Sequence, residues 1–280
     1  MKHFSWWASD VTGNAAEKLV QTGLFDGLDH AASVGNAITF LNACVVSSLI
    51  IILSILARIG LNQARKKGGT MQYVPDGTMT SRNFFEMLGG SLYGLAKELL
   101  GKDANRFFWL AAGLFVYILF CNLIGMVPGF LPPSDSLSHN AAMALVVVLV
   151  FNLSGLMVNG TGYIKHMCGP WMGLAGIALN LLLFAIEFLS FLIVRPYSLS
   201  LRLMGNMTGD HMVFGIMSGV PEQLVGSETM ITEIISSVAT GLFPILFLAL
   251  GTLVSVIQAF VFTLLSLIYI ALAVAHEDDH

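Results

Sequence analysis

Residues 171–219 read WMGLAGIALNLLLFAIEFLSFLIVRPYSLSLRLMGNMTGDHMVFGIMSG. The stretch is nearly all apolar, yet Glu187, Arg195, Arg202, Asp210 and His211 interrupt it. A helix of this length reaches about 70 Å at about 1.5 Å per residue, more than twice the roughly 30 Å hydrocarbon core of a bilayer. The segment is therefore a steeply tilted membrane helix, or one broken near Pro196. A guanidinium stays protonated at cellular pH. At membrane depth it costs about 2.5–3.5 kcal/mol even on the lenient insertion scale. No Lys or Arg follows Arg202, so snorkelling to a basic flank does not explain it. Arg202 marks a polar path or a partner carboxylate.

The rest of the chain supports a membrane reading. Of its 280 residues 56% are apolar and 11% charged, where soluble domains carry about 25% charged residues. Mean hydropathy is +0.79. The apolar runs are long and continuous, not the short alternating segments of a transmembrane barrel. The fold class is all-α: a polytopic integral membrane protein with about five transmembrane helices, the last two long and strongly tilted. Cys44, Cys121 and Cys168 are far apart, with no CxxC, and read as small apolar packers. No metal, cofactor or nucleic-acid site is indicated. Residues 1–36 mix Trp6, Trp7, Asp10, Glu17 and Lys18 without the apolar core of a signal peptide, and read as an external N-terminal segment.

Charge sets the topology. The first span covers about 37–59. A basic loop, 60–106, follows with Arg65, Lys66, Lys67, Arg82, Lys97, Lys102 and Arg106. The positive-inside rule puts that loop in the cytoplasm and the N-terminus outside. Within it Phe85, Leu88, Leu92, Leu95 and Leu99 recur at helical steps, and Asn83 with Glu86 resembles a capping box. These predict an amphipathic surface helix over 82–101. A second span at 107–127 ends in an external loop holding Pro132, Pro133, Asp135 and His139 without Lys or Arg. A third, at 141–158, returns to Lys165 and His166 inside. The polar stretch 220–232, with Glu222 and Glu228, lies outside between two long elements, and 171–275 reads as a tilted hairpin. Five crossings leave His280 in the cytoplasm.

The run Ser198-Leu-Ser-Leu-Arg202-Leu-Met-Gly205-Asn206-Met207, with Pro196 before it and His211 after it, resembles subunit a of the F-type ATP synthase. Gln258-Ala-Phe-Val-Phe262 with Tyr269, and the turn Ile124-Gly-Met-Val-Pro-Gly-Phe-Leu-Pro-Pro133, support it. The resemblance covers most of the chain and is strongest over 195–214 and 244–270. It implies a stator, not an enzyme in isolation, facing a ring of c subunits that each carry a membrane carboxylate. Two half-channels lead ions to and from that ring. Other implied partners are the b-subunit peripheral stalk, the remainder of the synthase and the lipid bilayer. The long basic loop suggests a bacterial plasma membrane form. The ion is H⁺, with Na⁺ left open because the c subunit's site decides it.

Arg202 matches the family's essential arginine. It favours the ionised state of a passing carboxylate and, unable to relay protons, blocks a direct leak. Asn206 lies one turn on, nearly on the same face. His211, nine steps from Arg202, points to the opposite face. Its near-neutral titration suits a proton relay, with a hydrogen-bonded packing histidine as the alternative. Gln258 matches the family's glutamine, expected across from Arg202, holding or hydrating it. The alternative is a plain interhelical hydrogen bond. Glu187 resembles the carboxylate of the inner half-channel, although its spacing to Pro196 is one residue longer than the family's. Ser198 lines the same exit, and Arg195 either joins it or anchors the interface. Gly205 and Gly209 make a GxxxG step that permits close approach by the rotor or by the last helix.

Two departures stand out. Gly251 lies seven residues before Gln258, where the family often has a His or an acid. Asp210 stands where a small residue is common, and supplies the acid that position 251 lacks. The rival reading is a self-contained secondary transporter that binds an anion at Arg202. It calls for an inverted repeat with paired broken helices, and the sequence shows none.

Overall fold

The computed structural model describes residues 14–22, 30–67, 81–127, 130–160, 162–163, 177–224 and 230–274. Side chains at 30–32, 64–67, 81–82, 177–178, 211 and 214–244 lie outside the description. Among the described residues every regular element is helical. In chain order these are α1 (Asn14–Gln21), α2 (His30–Lys67), α3 (Ser81–Leu100), α4 (Ala104–Ile124), α5 (Leu137–Asn159), α6 (Ile177–Leu189), α7 (Arg195–Leu224) and α8 (Met230–Val274). Short 3₁₀ turns occupy Gly101–Asp103 and Pro133–Asp135. Five segments are long and apolar enough to cross a membrane: Ser33–Gln63, Asn83–Ile124, Leu137–Asn159, Leu179–Asp210 and Ile245–Val274.

α6 and α7 do not separate at Pro196. A five-residue π segment, Ser190–Val194, joins them, and the Arg195 N–H bonds to Ser190 O. Proline lacks an N–H, and its ring crowds the turn before it. The helix answers by widening just ahead of Pro196, so the rod runs on without a break. α8 is 45 residues long, about 67 Å at the usual rise. Both long elements exceed an upright crossing, as their composition predicts.

Contacts divide the chain into two compact units, each assembled from several stretches of sequence. The first comprises 1–44, 118–144 and 197–260. Its apolar centre includes Leu199, Leu203, Met207, Ala144 and Ala259. The turn between α4 and α5 is compressed here: a Cβ at Gly125 would sit 2.7 Å from the Pro132 ring, so only glycine lets the prolines fold back.

The second unit comprises 45–117, 145–196 and 261–280. Ala96, Ala104, Ala111 and Leu267 form a small-residue core there, with Leu95, Leu99 and Leu100 around it. α3 doubles back along α4 through the Gly101 turn, where φ is +55°. Tyr93 meets Asn105 and Phe108, Gly89 faces Phe108, and Phe85 shares a groove with Ala112, Gly113 and Val116. Contacts that climb α4 as they descend α3 make the pair antiparallel. The expected helix over 82–101 is therefore present at Ser81–Leu100, packed along its successor through its apolar positions.

Candidate functional site

In the first unit α7 has two faces. Leu199, Ser200, Leu203 and Met207 are buried. Ser198, Leu201, Arg202, Gly205, Asn206 and Gly209 are exposed. Ser198, Arg202, Gly205 and Gly209 follow steps of three and four, which is one helical stripe. A Cβ built at Gly205 or Gly209 meets nothing within 4 Å. Among the described residues no side chain of the last helix fills the GxxxG step at these two positions. Gly215 and Gly219, which repeat the spacing, lie outside the described side chains. Among the described residues no carboxylate pairs with Arg202.

Gln258 is 3% exposed on α8. Its Oε1 accepts a hydrogen bond from Asn206 Nδ2, so its hydrogen-bond partner on α7 is Asn206, one turn from Arg202. Its Nε2 is buried without a hydrogen-bond partner. An unpaired buried donor costs about 1–3 kcal/mol, and a donor kept in that condition is available to water or to a passing ligand. Asp210 is half-buried and engaged in an interaction. The side chain of His211 lies outside the described residues. Gly251 is buried, and a Cβ there would lie 2.4 Å from Met126 Cε. The methionine covers the place an acid would take, and its Sδ lies 3.4 Å from Thr252 Oγ1.

The same unit holds a buried polar knot that the motifs do not announce. Ser134 Oγ donates to Asn122 Oδ1 at 2.7 Å. Asn140 Nδ2 donates to Ser134 O at 2.7 Å and, at 3.5 Å, to Ser200 O on α7. Asn122 Nδ2 reaches Ser255 O on α8 at 3.5 Å, and Asn42 Nδ2 bonds Leu131 O at 2.8 Å. Asn42 Oδ1 and Asn140 Oδ1 are buried without partners. From the adjoining 3₁₀ turn Asp135 Oδ1 accepts a 2.6 Å hydrogen bond from Thr208 Oγ1 on α7. The amide Asn122 interrupts an apolar span and carried a visible signal, whereas Asn140 sits in the polar run before the next span. The Asp135–Thr208 pair, far apart in sequence, carried none.

In the second unit Glu187 and Arg195 meet, Oε1 to NH2, at 3.6 Å. Eight residues of regular helix would leave them about 80° apart. The π segment between them absorbs one residue, and the remaining seven span two turns, so both face the same way. The extra residue noticed in the sequence is taken up here. Arg195 lies 3.8 Å over the Phe191 ring, with Tyr269 at 5.2 Å and Phe151 at 6.0 Å. This aromatic cradle holds the cation by its quadrupoles. Tyr163 joins through Phe191 and donates to Asn152 Oδ1 at 3.1 Å. Burial pushes its hydroxyl above the usual range, Arg195 opposes that and Glu187 adds to it, which keeps it a donor. A Cβ at Gly155 would strike the Tyr163 ring at 2.6 Å. Among the described residues no group of three or more metal-ligating side chains occurs.

A family model described as ATP synthase A chain matches residues 43–271. "ATP synthase subunit a 3" of Pelobacter propionicus is 36% identical over 226 residues, covering 81% of this chain and 82% of that one. "ATP synthase subunit a" of Bdellovibrio bacteriovorus is 34% identical over 229 residues, 80% and 90% of the two chains. "ATP synthase subunit a 2" of Syntrophotalea carbinolica is 35% identical over 269 residues, 96% and 93%.

Proposed function

Because the chain belongs to the ATP synthase A chain family, we propose that it is the stator that passes protons between two half-channels and a ring of c subunits. The observation that supports this most is the α7 stripe, on which an exposed Arg202, without an ion-pair partner among the described residues, lies beside two glycines that no described side chain fills. Gly205 and Gly209 admit a close-passing helix. When that helix brings a protonated carboxylate to Arg202, the guanidinium favours the ionised form and the proton leaves. Arginine cannot carry it onward, so the two paths stay separate. The Asn206–Gln258 bond ties α7 to α8 one turn from the arginine. Asp210 and His211 serve the outer path, Asn206 and Gln258 flank Arg202, and Glu187 with Ser198 serves the inner path. The N-terminus lies outside and the C-terminus in the cytoplasm of a bacterial plasma membrane, and the peripheral-stalk b subunit holds the chain against rotation.

A transporter would enclose its anion around the arginine. Arg202 instead stands on an open face, which favours the stator. Purification from its own membrane in mild detergent is the deciding experiment. The tagged chain should bring down a c ring and an ATPase head in fixed ratio, whereas a functional monomer that moves an anion would overturn the proposal.

The outer path uses Asp210 in place of the acid missing at Gly251. Removing a carboxylate near an imidazole lowers the imidazole's proton affinity. Asp210→Asn should therefore slow proton uptake from outside and move its pH dependence downward, in passive conductance of membranes stripped of the ATPase head. Adding Gly251→Glu should restore part of the flux, because only the flexible end of Met126 has to move aside, and Met126→Ala should make that easier. An unchanged flux and pH profile in Asp210→Asn would make it a bystander.

A further inference from the structure

The knot around the α4–α5 turn leaves one carboxylate unused. The turn is fixed by Pro132 against Gly125, by the fully buried Ser134 on Asn122 and by the Asp135 N–H on Pro132 O at 3.1 Å. So anchored, it sets Asp135 against α7, where Thr208 Oγ1 donates to its Oδ1 at 2.6 Å. Thr208 lies two residues from Asn206, the partner of Gln258, and two from Asp210. Asp135 is only half-buried, which gives it access to water. Five residues on, Asn140 is fully buried with Oδ1 unpartnered. That atom calls for a donor in the protein interior, and water is the donor such sites take.

We propose that Asp135 is a proton-collecting carboxylate at the mouth of the outer half-channel, positioned on α7 by Thr208; this rests on the stator reading above. The carboxylate takes a proton from external water, forming an O–H bond. That bond then breaks as the proton passes to the next acceptor along α7, and no electrons move. A threonine hydroxyl is both donor and acceptor, so Thr208 can hold the carboxylate and also lie on the route. The other titratable group nearby on α5 is His139, and α7 carries Arg202, Asp210 and His211 within six residues of Thr208. α4 and α8 contribute amides and hydroxyls, among them Asn122, Ser255 and Gln258.

The test uses the membrane sector reconstituted without the ATPase head, outer face toward the medium, with proton influx driven by a fixed diffusion potential. A collecting group matters most when protons are scarce. In Asp135→Asn, influx should fall several-fold at alkaline external pH and converge on the parent at acid external pH. Asp135→Glu should restore it. Thr208→Val, which keeps the carboxylate but releases it, should give a smaller loss of the same shape. Equal influx at every external pH, a loss uniform across pH, or a loss that follows internal pH would each overturn the assignment. If Asp135→Asn does not assemble, Thr208→Val decides by the same criteria. Arg202→Ala in parallel separates the two claims: pumping that survives it sinks the stator reading, whereas a flat Asp135 profile beside an inactive Arg202 variant sinks this assignment alone.

Discussion

ATP-driven proton pumping falls to background in an Arg202→Ala complex that still assembles. Assembly survives because Arg202 is exposed and makes no ion pair among the described residues. Removing it costs no hydrogen bond or ion pair among the described residues and relieves an insertion penalty of about 2.5–3.5 kcal/mol. Pumping fails because nothing then discharges the rotor carboxylate or separates the two paths. Each charge crossing about 100 mV is worth only about 2.3 kcal/mol, so even a partial leak undoes coupling. Arg202→Lys should fail as well, since a point ammonium lacks the planar fork and can lose its proton when desolvated. Proton uptake driven by ATP in inverted vesicles, with c-ring content measured in the same membranes, is the check. Normal pumping by an assembled Arg202→Ala complex would end the stator reading.

The second large effect comes from filling the stripe. Gly205→Phe should leave insertion and assembly near normal, since a side chain at 205 starts in open space. It should nevertheless cut ATP-driven pumping steeply. Overpacking a close interface costs about 1–3 kcal/mol, which is about five-fold to 150-fold in the rate of each rotor step. Gly209→Phe should act similarly. Substitution on the buried face, for example Leu203→Ala, works the other way: a large core-to-small change costs about 2–5 kcal/mol of stability and lowers the amount of complex more than its turnover. Parent-like turnover in Gly205→Phe would mean that no rotor passes this face.

Much of the architecture was legible because lipid simplifies the code. Continuous apolar runs had to be helices, and the breaks between them fell at Gly101, at the prolines after Ile124 and near Asn159. The strongest residue-level signal was also electrostatic: a charge in hydrocarbon needs a reason, and Arg202 and Glu187 could be picked out on that ground. Less legible was anything that depended on phase or on distant pairing. The sequence shows one residue too many between Glu187 and Pro196, and only the π segment reveals how the helix absorbs it. Gln258 was expected across from Arg202, but a seat on the facing helix is fixed by packing to within one turn, and that turn belongs to Asn206. Asp135 and Thr208 meet across several elements, and no local periodicity links them. Gly251 stood out as a missing acid, while the methionine that fills its space gave no sign.

That methionine bears on how such a chain can change over generations. With Met126 lying over Gly251, an acid arriving at 251 meets a methyl group before it meets water. That methyl is the free end of an unbranched side chain and can swing aside, so the step stays open where a branched or aromatic residue at 126 would close it. The residue at 126 thus sets how readily a carboxylate can be gained at 251.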